Sequence, residues 1–171
     1  MTTTNLEQYL GTPVAFFPVY DEVQGNATIL YQRNGETITL GRSISIVLRD
    51  YLALYGLEKR LLQKVYGAKV AVKSRIVPLP VNLSRTLMPL RVRHTISKHD
   101  GAYAYLEYES IDLSSLVKDG VYTCFRLANF ELRALISPEV FRASLAYCAL
   151  AQDSYRNRHH LKNIPFSIMT A

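Results

Sequence analysis

Residues 27–40 read ATILYQRNGETITL, and this stretch decides the fold class. Two apolar or alternating runs, 27–32 and 36–40, flank the triplet Arg33-Asn34-Gly35. Asn-Gly is the strongest short-range signal for a type I′ turn, because both residues tolerate positive φ. The stretch therefore predicts a β-hairpin and, with it, an antiparallel sheet.

Further strands are predicted on both sides of this hairpin. Residues 14–19 are rich in aromatic and β-branched side chains, and Pro18 indicates an edge position because proline cannot donate to a ladder. Alternation or apolar runs predict additional strands at 68–76, 86–94, 101–111, 120–127 and 130–136.

Three helices are predicted. Ser43 can cap a first helix that ends near Gly56, and its apolar residues recur at helical spacing: Ile44, Val47, Leu48, Tyr51 and Tyr55. A second helix is predicted over 58–66, ended by Gly67. Ser137-Pro138-Glu139 is a strong helix start, and the apolar face that follows predicts a helix as far as about Gln152.

These elements indicate the α+β class: a mostly antiparallel sheet with two short central helices and one longer C-terminal helix. A chain of 171 residues fits a single domain. We expect a flexible N-terminal segment over 1–12 and a C-terminal tail over 157–171. Hydrophobic residues make up 49% and charged residues 20% of the chain, a balance that excludes disorder as the main state.

The sequence shows neither a membrane span nor a secretion signal. Its apolar runs fall short of the roughly 18 residues that cross a bilayer. Residues 1–7 lack the basic and apolar regions of a signal peptide. We therefore expect a cytoplasmic protein with no membrane partner.

The net charge of +6 is unevenly distributed. Residues 42–98 carry twelve basic and two acidic side chains, a net +10, whereas residues 1–41 and 99–125 are acidic. Like charges on one surface repel each other, so such a segment favours an anionic partner. Nucleic acid has the densest regular charge, although an acidic protein or an acidic membrane surface would also serve.

Strand alternation would concentrate part of this charge on a sheet. In 68–76 the basic residues share one face, and in 86–94 they share the side opposite the apolar residues. Neighbouring strands of this kind would form a basic stripe. The candidate DNA-binding residues are Lys69, Lys73, Arg75, Arg85, Arg91, Arg93 and Lys98.

Motifs of catalysis and cofactor binding are not found. The chain has no GxSxG, Walker, GxGxxG or HExxH sequence. Glu107 and Glu109 share a strand face, and pairing with a basic neighbour explains them better than acid–base catalysis does. Cys124 and Cys148 are predicted to be buried thiols. We therefore expect no enzyme activity, no cofactor and no metal.

Four short motifs occur between residues 41 and 151, and their order and spacing are informative. They are Lys73-Ser74-Arg75-Ile76-Val77-Pro78, Leu87-Met88-Pro89-Leu90, Ser97-Lys98 followed by Tyr103 and Tyr105, and Asn129 leading through Leu135-Ile136-Ser137 to Phe141. In this order the chain resembles a divergent member of the competence transcription factor (ComK) family of Gram-positive bacteria. That family's pattern is similar to Phe-Pro-Thr-x-Ser followed by a cysteine and a tryptophan. Here Met88 and Leu90 replace its first and third residues, no cysteine precedes Tyr103, and the chain has no tryptophan.

The resemblance implies a transcriptional activator of DNA-uptake genes. It implies binding to AT-rich double-stranded DNA, chiefly through the minor groove, as a homodimer or tetramer, and control by a proteolytic adaptor protein. Arginines suit such a groove because its narrow A-tracts concentrate negative potential. Two other interpretations remain open: a protein-interaction module that docks an acidic partner without binding DNA, and an unrecognised hydrolase or nuclease.

Overall fold

The computed structural model describes residues 3–70 and 76–159, which form four α-helices and nine β-strands. The helices are α1 (Thr3–Leu10), α2 (Ile44–Ala53), α3 (Lys59–Val70) and α4 (Pro138–Arg158). The strands are β1 (Pro13–Asp21), β2 (Gly25–Gln32), β3 (Thr37–Leu40), β4 (Leu79–Asn82), β5 (Arg85–Arg91), β6 (Tyr103–Glu107), β7 (Ile111–Asp119), β8 (Tyr122–Leu127) and β9 (Phe130–Ala134). The predicted α+β class with a longer C-terminal helix is confirmed.

The strands form two antiparallel sheets. One has six strands in the order β3-β2-β1-β6-β5-β4, and the other has three in the order β7-β8-β9. The central strands are buried on both faces. Successive residues Phe16 and Phe17 enter different apolar clusters, as do Leu87 and Met88. These strands are therefore nearly continuous apolar runs.

Helices α1, α2 and α3 contribute to the core on one face of the large sheet. The ring of Phe16 meets the ring of Tyr51 edge-on, with centroids 4.9 Å apart. Such a pair adds about 1 kcal/mol beyond the area it buries. Leu10 of α1 is fully buried here, so the N-terminal helix is part of this layer.

The small sheet and α4 cover the opposite face. Phe125 of β8 packs against Phe141 of α4, and Phe130 of β9 against Tyr31 of β2, each with centroids 4.9 Å apart. Helix α4 begins as predicted, because the Ser137 hydroxyl accepts the Val140 N–H at 3.3 Å. The C-terminal end of α4 reaches the core on the opposite face of the large sheet, where Tyr155 packs.

The predicted hairpin of β2 and β3 is confirmed, but its turn is not type I′. The Gly35 N–H donates to the Gln32 carbonyl at 3.0 Å, and only Gly35 has positive φ, at 92°, whereas type I′ needs two such residues. The Gln32 N–H in turn donates to the Glu36 carbonyl at 2.8 Å. This is a three-residue loop with glycine in the left-handed position.

The edge position predicted for β1 is wrong, since β1 lies between β2 and β6. The pairing of β1 with β6 includes Ala15 and Phe16 only, whereas its pairing with β2 continues to Asp21. Pro18 lies past the end of the β6 pairing. Its missing N–H therefore costs no bond on that side.

Helix α3 does not stop at Gly67 but continues to Val70, so the strand predicted from residue 68 is wrong at its start. Residues 71–75 lie outside the described residues. A Cβ at Gly67 would lie 3.1 Å from Val77 Cγ2, so the glycine allows the helix to approach Val77 closely. Its role is packing rather than termination.

Three other predicted boundaries shift. Strand β5 ends at Arg91, and β6 ends at Glu107, where a single 3₁₀ turn over Tyr108–Ser110 precedes β7. Helix α4 continues beyond Gln152 to Arg158. Tyr155 stacks on Tyr66 of α3, with centroids 6.4 Å apart, and this contact supports the extra turns.

Candidate nucleic-acid interface

The start of α2 meets the segment that joins β5 to β6. A Cβ added to Gly101 would lie only 2.4 Å from Ile44 Cγ2, so the backbone of this segment touches the first residue of α2. Ser43 occupies the N-cap position, as predicted, but its hydroxyl makes no capping bond and lies 3.1 Å from the Ser45 hydroxyl. The first turn of α2 thus lacks a side-chain cap, and its partial positive charge favours an anion.

Arg93 and Asp100 hold this segment in place. Arg93 donates to the Gly101 carbonyl and to the Asn26 side chain, both at 2.7 Å, while its guanidinium lies 4.0 Å from the centre of the Tyr20 ring. Asp100 accepts the Tyr20 hydroxyl at 2.6 Å and the Ser97 N–H at 2.9 Å. These two hydrogen bonds lower the pKa of Asp100.

Two clefts that share lining residues lie beside this junction. The first, of about 610 Å³, is lined by the first turn of α2, by Lys59 and by the segment that carries Lys98. The second, of about 420 Å³, shares Ser45 and Lys59 with it and adds Arg49 and Arg60. We call the two together the basic groove. Its cations are Arg49, Lys59, Arg60 and Lys98.

Cations exceed carboxylates in the basic groove. Lys59, Arg60 and Lys98 form no ion pair with any described residue, and Lys59 Nζ lies 5.1 Å from the centre of the Tyr105 ring. Arg49 pairs with Asp50 at 3.1 Å. The lining carboxylates are Glu58 and Asp100, and Asp100 is already hydrogen-bonded. Three unpaired cations remain available to an anion.

Of the predicted DNA-binding residues, the structure brings Lys98 and Arg91 to this region. Lys98 lines the first cleft. Arg91 is exposed at the end of β5 and is the cross-strand partner of Tyr103, which also lines that cleft. Because cross-strand partners share a face, Arg91 lies beside the basic groove. Arg93 is half-buried, and its hydrogen bonds to Gly101 and Asn26 hold the segment that carries Lys98.

Arg85, another predicted DNA-binding residue, is held by partners within the fold and does not line the basic groove. Its guanidinium donates to the hydroxyls of Tyr51 at 2.9 Å and Tyr55 at 2.8 Å, and lies 3.7 Å from Glu107. Its side chain is only 22% exposed. Burial opposes its charge, yet Tyr51 and Glu107 together raise the pKa of Arg85. The residue fastens α2 to the sheet.

The other predicted positions form no stripe in the described residues. Lys69 is in the last turn of α3, not on a strand. Lys73 and Arg75 lie outside the described residues. The expected pair of basic strands is therefore replaced by a groove between helices and a loop.

Lys59 and Arg60 line the basic groove but are not among the residues predicted from the sequence. Both lie at the start of α3, shortly after the Gly56 turn. The sequence feature that could have identified them is the Gly56 turn, because it connects α2 to a helix whose first two residues are both cationic.

The carboxylates singled out from the sequence have structural partners. Glu107 is 5% exposed, and its two oxygens accept from Arg33 Nη2 at 2.7 and 2.5 Å, which agrees with pairing to a basic neighbour. Glu109 accepts the Thr86 N–H at 3.0 Å and the Gln152 amide at 2.6 Å. Cys148 is buried as predicted, and its pKa is raised by burial, but Cys124 is only half-buried.

Within residues 3–70 and 76–159, no group of three or more histidine, cysteine or acidic side chains could hold a metal ion. Among those same residues, no helix is both long and apolar enough to cross a bilayer. No protein-family model, no curated protein and no solved structure matches the chain.

Proposed function

We propose that the protein is a DNA-binding transcriptional regulator that contacts the phosphate backbone of AT-rich duplex through the basic groove. The observation that carries this proposal is the convergence of Lys59, Arg60 and Lys98, from two distant parts of the chain, without a carboxylate partner among the described residues. Each phosphate that such a cation neutralises releases condensed counterion. An intracellular location is part of the proposal.

The groove has the components that phosphate recognition uses. Lysine and arginine supply charge, the serine hydroxyls at the start of α2 supply donors, and the uncapped first turn supplies backbone N–H groups. Arg91 beside the groove is the one predicted arginine, among those described, that is free to enter a minor groove, where narrow A-tracts attract guanidinium groups. Preference for AT-rich sites, activation of transcription and control of DNA-uptake genes rest on the resemblance to the competence factors.

The test is an anisotropy titration of AT-rich and GC-rich duplexes at several salt concentrations. Lys59→Ala/Lys98→Ala should weaken binding and lower the slope of log K against log salt by up to about 0.9 for each phosphate that is no longer neutralised. Lys118→Ala/Arg142→Ala removes the same charge from exposed positions outside the groove and is the matched control. Binding that does not depend on salt, or an equal decrease in affinity in both variants, would refute the proposed site.

One observation favours an acidic protein segment as a second candidate ligand. The second cleft includes the apolar residues Ile46, Leu52 and Leu57, and Ile46 is 37% exposed. An acidic amphipathic helix would match both the cations and this apolar floor. Binding of such a peptide, with no affinity for either duplex, would assign the groove to protein interaction instead.

A further inference from the structure

We propose that a cleft between the two sheets binds a small apolar monocarboxylate, whose carboxylate lies on Arg133. The cleft has a volume of about 440 Å³. Residues 17–19 of β1 and Tyr31 of β2 line it from the large sheet, and Cys124 of β8 and residues 131–133 of β9 from the small sheet. Sites for small molecules usually have volumes of about 300–1,000 Å³. None of these residues lines the basic groove, so the inference is independent of DNA binding.

The lining from the large sheet is apolar and held in place by ring contacts. Phe17 and Pro18 are buried, and Tyr31 is half-buried. The rings of Phe17 and Tyr31 meet edge-on with centroids 5.3 Å apart, and Tyr31 also packs against Phe130 at 4.9 Å. Leu132 of β9 adds a further apolar side chain to the lining. A preformed apolar and aromatic lining favours a ligand with an apolar body.

Charge decides which polar group that ligand carries. The charged residues that line the cleft are Glu131 and Arg133. The Glu131 carboxylate lies 3.6 Å from the guanidinium of Arg126, its cross-strand partner, and its side chain is 83% exposed. Arg133 forms neither an ion pair nor a hydrogen bond with any described residue, and its guanidinium lies 4.4 Å from the centre of the Tyr122 ring. The charge that lacks an opposite partner is therefore positive.

A carboxylate is the anion that matches this arrangement. A guanidinium can bind both carboxylate oxygens through two parallel hydrogen bonds. The cleft offers one unpaired cation beside an apolar lining, whereas the basic groove offers three, namely Lys59, Arg60 and Lys98. A polyanion would therefore favour the groove, and a monoanion with an apolar body would favour the cleft.

Cys124 provides a reporter inside the cleft. It is the cross-strand partner of Arg133, and cross-strand partners share a face, so its thiol lies beside the proposed carboxylate site. Cys148 is fully buried. In the folded chain, iodoacetamide should therefore alkylate Cys124 alone, the thiolate displacing iodide. A ligand that occupies about nine-tenths of the sites should slow this reaction about tenfold.

The experiment compares hydrocinnamate with its neutral amide and with the corresponding primary amine, which share one apolar body and differ in charge. Ligands of this size bind in the roughly millimolar range, so each is titrated to about 20 mM and followed by the NMR shifts of the backbone amides. Hydrocinnamate should shift the amides of Cys124 and Leu132 in a saturable way. It should bind at least about fivefold more tightly than the amide, and the amine should bind most weakly.

Variants assign the binding to this cleft. Arg133→Gln should make the acid bind no more tightly than the amide, while Arg142→Gln removes the same charge from an exposed position on α4 and should leave the preference unchanged. Val19→Phe should fill the cleft and prevent binding of both the acid and the amide. Lys59→Ala/Lys98→Ala should leave the affinity for the acid unchanged, which separates this site from the basic groove.

Four results would overturn the inference. Hydrocinnamate may give no saturable shift, or the acid and amide may bind equally well to the wild-type chain. The preference for the acid may persist in Arg133→Gln, or tighter binding of the amine may assign the cleft to Glu131. Acid-induced shifts that centre on Gly101 and disappear in Lys59→Ala/Lys98→Ala would place the carboxylate in the basic groove instead. Urea unfolding checks the fold of Val19→Phe, and Arg133→Gln, at an exposed position, keeps the test decisive if that variant does not fold.

Discussion

The contact between Gly101 and Ile44 gives the sharpest test of how the groove is built. Gly101→Ala would place its Cβ 2.4 Å from Ile44 Cγ2, more than about 1 Å inside the optimal carbon–carbon separation. The φ of Gly101 is not positive, so alanine fits the backbone and the cost is steric. Overpacking of this kind costs about 1–3 kcal/mol.

A smaller effect acts in the opposite direction. Replacing glycine by alanine at a compatible position stabilises a protein by about 0.4–1 kcal/mol, since the unfolded chain loses freedom. We therefore expect Gly101→Ala to lower the free energy of unfolding by about 1–2 kcal/mol, measured by urea denaturation. Duplex affinity should also fall, because the shifted loop carries Lys98.

Second-site variants isolate the clash. Ile44→Leu removes the Cγ2 methyl and should cost less than about 1.5 kcal/mol alone, while relieving most of the destabilisation in the double variant. Ile44→Val keeps this methyl group and should leave the destabilisation caused by Gly101→Ala unchanged. If Gly101→Ala is as stable as the wild-type chain, and its effect is additive with Ile44→Leu, then the loop does not rest on α2 and the groove is built differently.

Two other variants separate structural charges from ligand-binding ones. Arg85→Met removes the hydrogen-bond donor of Tyr51, Tyr55 and Glu107, and should lower the free energy of unfolding, measured in urea, by about 1–3 kcal/mol. It should leave the salt dependence of duplex binding unchanged. A variant as stable as the wild-type chain, with a reduced slope of log K against log salt, would contradict this. Because the pKa of Asp100 is lowered in the folded protein, its hydrogen bonds stabilise the loop at pH values above the ordinary carboxyl pKa. This stabilisation is lost as the pH falls through the lower pKa of the folded protein. The NMR shift of the Ser97 amide should therefore change below about pH 4, and Asp100→Asn should abolish that step. An amide shift that is constant from neutral pH down to about pH 2 would show that the bond is not formed.

Local signals predicted much of the fold. The β2–β3 hairpin, the start of α2 after Ser43 and the start of α4 at Ser137 each depend on residues within one turn or hairpin of one another. Such local contacts depend little on the tertiary structure of the rest of the chain. The turn type was missed because Asn-Gly is compatible with both a two-residue and a three-residue loop.

Tertiary contacts decided the rest. Gly67 is a helix-ending residue by sequence, but its value here is the space it leaves for Val77. Arg85 is part of a basic segment by sequence, but its partners Tyr51 and Glu107 are 34 and 22 positions away along the chain. No periodicity within a strand can reveal that a cation will be used to join two layers.

The candidate site shows the same limit. The excess of basic residues between 42 and 98 was visible, but alternation assigned it to strands, whereas β5 is buried on both faces until Arg91. The groove combines the start of α2, the start of α3 and the loop around Lys98. Its parts are brought together by the Gly56 turn and by the Arg93 and Asp100 contacts, which depend on Tyr20 and Asn26 near the N-terminus.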